Sequence, residues 1–239
     1  MLVRIVVDRA EATGGRWGEH NTERRRAIIA AYVELIEESQ PGADIPLQVI
    51  ADRAGVKRSV VYRHFDDRGD LDAKTREFAV EQVVDLVMPD FDPAESLRGT
   101  IFRIVATYVG WVSVHARLHG WIERGPGSGD PAGKAVVGGT KAAVAERVAQ
   151  LFTLAASVVG QQHPGIDPAA FAIVSLVDGG VTRWLETRPA DLDETELTRL
   201  LADSIWALFD AMARARGFVV NPDRPIAELM ADPPVRLES

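Results

Sequence analysis

The chain has 239 residues, 46% hydrophobic and 26% charged, with a formal net charge of −8. That length and apolar content can build a sizeable core, in one large domain or in a small domain beside a large one. The absence of cysteine excludes disulfides, thiolate nucleophiles and thiolate metal sites, and no apolar run reaches the roughly 18 residues of a membrane span without polar interruption.

Residues 1–21 contain a short LVRIVV stretch and are then polar and broken by Gly14, Gly15 and Gly18. They read as a mobile N-terminal arm. The apolar stretch is too short for a signal peptide, so the expected location is cytoplasmic. Asn21 or Thr22 is placed to cap a helix running to about Ser39, with Ile28, Ile29, Tyr32, Leu35 and Ile36 as its buried stripe. Pro41 and Gly42 end it. A second helix is expected from Asp44 to Arg53, with Pro46 in its first turn.

The stretch Leu47 to Leu71 carries the most information. Leu47, Ile50, Ala51 and Ala54 fall on one helical face. Gly55 follows, able to take the left-handed conformation that ends a helix. A second short helix is expected from about Lys57 to His64, with Val61 and Phe65 pointing inward. Two short helices crossing at a glycine turn make a helix-turn-helix. From Arg53 to Arg68 there are five basic and two acidic residues, a net of +3, whereas residues 76–239 carry a net of −7. The acidic sum therefore belongs to the C-terminal part and does not exclude a nucleic-acid partner for the N-terminal part.

The series Ile50, Ala51, Ala54, Gly55, Val56, Tyr62, His64, Phe65, Arg68 and Leu71 resembles the N-terminal signature of TetR-family transcriptional regulators. The resemblance covers residues 23 to about 71. It implies an all-α protein: an N-terminal three-helix DNA-binding domain (22–69) joined to a larger helical ligand-binding and dimerisation domain (70–220), with a C-terminal tail (221–239) and about nine helices. One departure is Pro46, where the family often has Ser or Thr.

The recognition helix suits the major groove. Arg58 and Arg63 are the candidates to read guanine, since arginine can bond O6 and N7 together. Lys57 and Ser59 share the outer surface, and Val60 is placed to touch a thymine methyl. Tyr62 and His64 resemble the family's phosphate-contacting pair, and Arg68 stands where the family commonly has Lys, also against phosphate. The backbone amides of Leu47 and Gln48 are further phosphate candidates.

Beyond the signature, a helix is expected from Asp70 to about Met88 and another from Ala94 to about His119. Residues 125–139, rich in Gly and Pro, read as a loop. A helix follows from about Thr140 to Val159. The last two long helices are expected from Asp167 to about Glu186 and from about Glu194 to Ala215, with Gly217 as the stop. By the resemblance these two form the face of a homodimer that binds a near-palindromic operator. Phe171, Val174, Val181, Leu201, Ile205, Leu208 and Met212 are the candidate interface residues.

An effector pocket is expected among the middle helices, lined by Phe102, Tyr108, Trp111, His115, Trp121, Phe152 and Trp184, for a mainly apolar small molecule. His119, Arg117 and Arg124 are further polar candidates. His115, His119 and Glu123 fall four residues apart, a spacing compatible with metal ligands, but one helix rarely completes a site and no metal is assigned. No nucleophile–base pair and no phosphate-binding glycine loop is evident, so neither an enzymatic activity nor a cofactor is assigned. The leading reading is a repressor released from DNA by a ligand. The alternatives are an activator or effector-independent regulator, and, in another class, an enzyme bundle carrying a DNA-binding unit.

Overall fold

The computed structural model describes residues 16–87, 92–124, 141–150, 152–153 and 164–232, with the backbone alone for 16–20. Within these residues the protein is all-α. The helices are α1 (Arg16–Glu38), α2 (Leu47–Arg53), α3 (Arg58–His64), α4 (Arg68–Val87), α5 (Leu97–Val114), α6 (Ala116–Arg124), α7 (residues 141–150), α8 (Ile166–Thr187), α9 (Glu194–Arg214) and α10 (Ile226–Ala231). The expected arm (1–21) lies outside the described residues up to 15. From Arg16 onward it is the first turn and a half of α1, so neither Asn21 nor Thr22 caps that helix.

One apolar cluster holds α1, α2, α3, the first half of α4 and α6 together. It contains Ile28, Tyr32, Ile50, Val61, Phe65 and Leu71, joined by Leu118 and Ile122 of α6. The expected stripe of α1 is buried, with Ile28 fully inaccessible. The turn between α2 and α3 is a double-bonded helix stop: Gly55 has φ +66°, its amide bonds the Asp52 carbonyl at 3.1 Å, and the Val56 amide reaches back to the Ala51 carbonyl at 2.9 Å. Pro46 is the residue before α2 rather than part of its first turn; its carbonyl accepts from the amides of Val49 and Ile50.

A second cluster joins α5, α8 and α9 through Val105, Val109, Val112, Val181, Trp184 and Leu201. Trp111 packs against both clusters. Gly180 lets α8 lie close on α9, since a Cβ there would stand 2.9 Å from a methyl of Leu201. Asp193 and Glu196 form a reciprocal capping box at the start of α9. Two expectations change. The helix read from Ala94 to His119 is two helices, broken at His115 (φ −108°, ψ 35°). The expected tail holds an ordered strap: the amides of Arg98, Ile226 and Ala227 bond the carbonyls of Pro222, Glu95 and Pro93, setting α10 against the start of α5.

Candidate nucleic-acid interface

Lys57 precedes α3 with extended backbone, and α3 then turns one face inward. Val61 and Phe65 are buried as expected. Lys57, Arg58, Ser59, Tyr62 and Arg63 are exposed, and His64 is half-buried. Arg58 donates to the Tyr62 hydroxyl at 3.2 Å and lies over its ring, which holds both side chains on the outer surface. Gln48 of α2 is also exposed, bonded to Asp52 at 2.7 Å, while Leu47 packs partly into the core.

Three assignments change. Val60 is 9% exposed, so it is a core residue and presents no surface to a thymine methyl. Arg68 is committed internally: its guanidinium donates to Asp72 at 2.8 Å, to the Ile45 carbonyl at 2.6 Å and to the Tyr32 hydroxyl at 2.5 Å, over the Tyr32 ring. It ties α4 to α1 and to the segment before α2, each of its three nitrogens being held by an internal acceptor. Arg53, counted in the local charge, is clamped by Glu38 and Glu34.

The basic surface is replenished from α1. Arg25 lies over the Phe65 ring, 5.2 Å from its centroid. Burial, then the charges of Arg25, Arg63 and Arg24, push the His64 imidazole below its ordinary value. Arg24 and Arg25 thus lie within electrostatic reach of the end of α3, Arg25 in direct contact with Phe65. Sequence reasoning passed over them, although the run Arg24-Arg25-Arg26 was visible.

Among the described residues, Tyr108, Trp111, Phe152 and Trp184 of the seven expected pocket residues belong to or pack against the second apolar cluster. Trp121 packs edge-on against Tyr32 with Arg76 over its face at 4.1 Å. His115 bonds Glu37 of α1 at 2.9 Å, and the neighbouring Arg117 donates to the Glu37 carbonyl. Trp184 is buried and donates to the Leu192 carbonyl at 2.8 Å. Phe152 lies beside Phe209. Phe102 is 38% exposed and lines an open cleft of about 450 Å³ between α5 and α9 with Arg98, Ile101, Ala202 and Trp206. The residues expected in the 125–139 loop lie outside the described residues.

Tyr108 instead enters a buried polar cluster. Its hydroxyl donates to Asp178 Oδ1 at 3.0 Å and lies 3.1 Å from His119 Nε2, which is itself 3.2 Å from the same oxygen. Lys141 Nζ lies 2.6 Å from Asp178 Oδ2 and 3.1 Å from Glu123 Oε2. Burial would raise the Asp178 carboxyl, but the hydrogen bond with His119 and the charge of Lys141 outweigh it and bring it down to about 2. Burial and then Asp178 push the Tyr108 phenol up. Of the expected dimer residues, Val181, Leu201 and Ile205 are buried within the protomer and belong to its core. Phe171 is 42% exposed, and Val174, Leu208 and Met212 are half-buried.

No protein-family model matches the chain. It is 23% identical over 221 residues to an HTH-type transcriptional regulator of Mycobacterium tuberculosis, covering 90% of this chain and 89% of the relative. Among solved structures, a TetR-family regulator from Streptomyces coelicolor superimposes with a TM-score of 0.61 at 20% identity, over 81% of this chain and 83% of that one. The transcriptional regulator FadR from Bacillus subtilis, solved in complex with stearoyl-CoA, gives 0.60 at 15% identity, over 75% and 96%. The fatty acid degradation regulator FadR from Bacillus halodurans gives 0.56 at 16% identity, over 82% and 96%.

Proposed function

We propose that this chain, which has the fold of TetR-family transcriptional regulators, is a sequence-specific DNA-binding repressor that works as a homodimer. The observation that carries this reading is the outer face of α3. Lys57, Arg58, Ser59, Tyr62 and Arg63 are exposed on and beside a helix whose other side is locked into a core by Val60, Val61 and the following Phe65. A rigid helix with a free basic face fits the major groove. Arg58 and Arg63 read base edges there, while Lys57, Tyr62, His64, Arg24 and Arg25 hold phosphates.

The dimer forms through the outward sides of α8 and α9. Phe171, Leu176 and Leu200 are 42%, 38% and 55% exposed there, and the exposed Ala172, Gly179 and Ala207 allow close helix approach. A two-fold pair places two recognition helices on half-sites about 34 Å apart.

A mainly apolar effector would act through α6. This helix gives Leu118 and Ile122 to the reading head's core and His119 and Glu123 to the polar cluster of the larger bundle. A ligand that favours another α6 position changes operator affinity by its differential affinity for the two states. That one neighbour was solved with stearoyl-CoA supports testing acyl compounds first. The test is selection of bound duplexes from random DNA, followed by release assays with acyl-CoA esters of varied length. Enrichment of an inverted repeat, and its release by one ester class, is the expected result. Enrichment of no sequence would overturn the DNA-reading assignment, and retention with every ester would overturn the acyl effector.

A further inference from the structure

The buried polar cluster unites groups from four helices: Tyr108 of α5, His119 and Glu123 of α6, Lys141 of α7 and Asp178 of α8. One donor atom each from His119, Glu123 and Asp178 fall within 4.8 Å of one another. Sequence spacing had grouped His119 and Glu123 with His115. The structure removes His115, which faces Glu37, and supplies Asp178 from another helix. The third donor thus comes from α8, and the single helix that carries His119 and Glu123 no longer has to complete the site.

An imidazole and two carboxylates are a donor set that binds divalent transition metals, zinc foremost. The cluster already holds a cation, the Lys141 ammonium, between the two carboxylates. Asp178 is only 7% exposed, and the ammonium at 2.6 Å is what its Oδ2 faces among the described residues. The Lys141 ammonium is one charge against two carboxylates, with the His119 imidazole supplying a second only when protonated, whereas a divalent ion would neutralise both. Buried charge is tolerated only when paired, so this shortfall favours exchange of the ammonium for a metal ion.

We infer that His119, Glu123 and Asp178 form a binding site for a divalent transition-metal ion, in competition with the ammonium of Lys141. Closing on an ion with bonds of about 2.0–2.2 Å requires the three donors to draw in by about 1 Å, within reach of the flexible Glu123 side chain. Tyr108 donates to Asp178 Oδ1 and its hydroxyl lies 3.1 Å from His119 Nε2, so it fixes that carboxylate oxygen beside the imidazole. Because His119 and Glu123 ride on α6, whose other face is in the reading head's core, an ion here would also bias DNA binding; that consequence alone rests on the proposed function.

The test is titration of the tag-free, full-length chain with Co²⁺, followed by visible absorption, and with Zn²⁺, followed by calorimetry. Circular dichroism checks that each variant is folded. One ion per chain is expected. Lys141→Met should bind at least about tenfold more tightly, because the competing charge is gone, and metal should raise its melting temperature more than that of the parent. Asp178→Asn and His119→Gln should each weaken binding at least about tenfold. The site is refuted if neither the parent nor Lys141→Met binds either ion, or if Lys141→Met and Asp178→Asn both leave the affinity unchanged. Neither readout involves DNA, so failure here is distinct from failure of the regulatory reading.

Discussion

At the scale of single residues, chemical type misleads where geometry decides. Arg63 and Arg68 are five positions apart in a basic stretch, yet one is free on the surface and the other is a three-way tie between α4, α1 and the segment before α2. Replacing Arg68 with Ala removes a charged donor from Asp72, which keeps the Tyr32 hydroxyl, and the donor of the Ile45 carbonyl. It should destabilise the fold by about 1–3 kcal/mol in urea unfolding while leaving the salt dependence of DNA binding unchanged. Gly55 was legible because a positive φ is a local property. A Cβ there meets nothing within 4 Å, so Gly55→Ala carries only the conformational cost of φ +66°, about 1 kcal/mol by the same measurement. His64 has a pH signature. Its depressed folded-state value means the unfolded chain takes up this proton first, so the residue reduces stability as pH falls below about 6.5. A phosphate at the ring reverses that preference. Operator affinity should therefore rise between about pH 7.5 and 6 with proton uptake, and His64→Gln should flatten the profile. An unchanged profile in His64→Gln would remove the residue from the interface.

Among the elements, α6 shows what sequence could and could not supply. Helices α1, α3, α4 and α9 follow from apolar periodicity and local stop signals; the stripe of α1 is buried as read, whereas Val60 of α3 and Leu201 and Ile205 of α9 turn out to belong to the core. The break at His115 has no glycine or proline to announce it; it coincides with the bonds of His115 and Arg117 to Glu37, 78 and 80 residues earlier in the chain. The same blindness to distance hid Asp178, a carboxylate in the apolar middle of α8 whose partners lie on α5, α6 and α7. Trp121 was assigned to an effector pocket because a large aromatic in a bundle suits either a ligand or a core, and only its contacts with Tyr32 and Arg76 decide between them. Trp121→Ala should therefore behave as a core substitution, costing about 3 kcal/mol, whereas Phe102→Ala at the open cleft should cost less than about 1 kcal/mol. Equal costs in urea unfolding would contradict this division.

For the whole molecule, the charge sum of −8 conceals a division of labour. Residues 76–239 carry −7 of the net charge, while α3 and the neighbouring turn of α1 present Lys57, Arg58, Arg63 and Arg24 as exposed cations. Arg53 and Arg68 do not belong to that surface, while Arg24 and Arg25 do. The central claim is that this face binds DNA, with Arg63 reading bases and Arg24 holding backbone. It is tested most directly by measuring the affinities of the parent, Arg63→Ala and Arg24→Ala for a selected operator and for an unrelated duplex across a salt series. The account predicts that Arg63→Ala narrows the gap between the two duplexes by about 1–3 kcal/mol, and that Arg24→Ala weakens both alike and flattens the salt slope by about one unit. Equal, sequence-independent losses from both substitutions, or no loss from either, would contradict it.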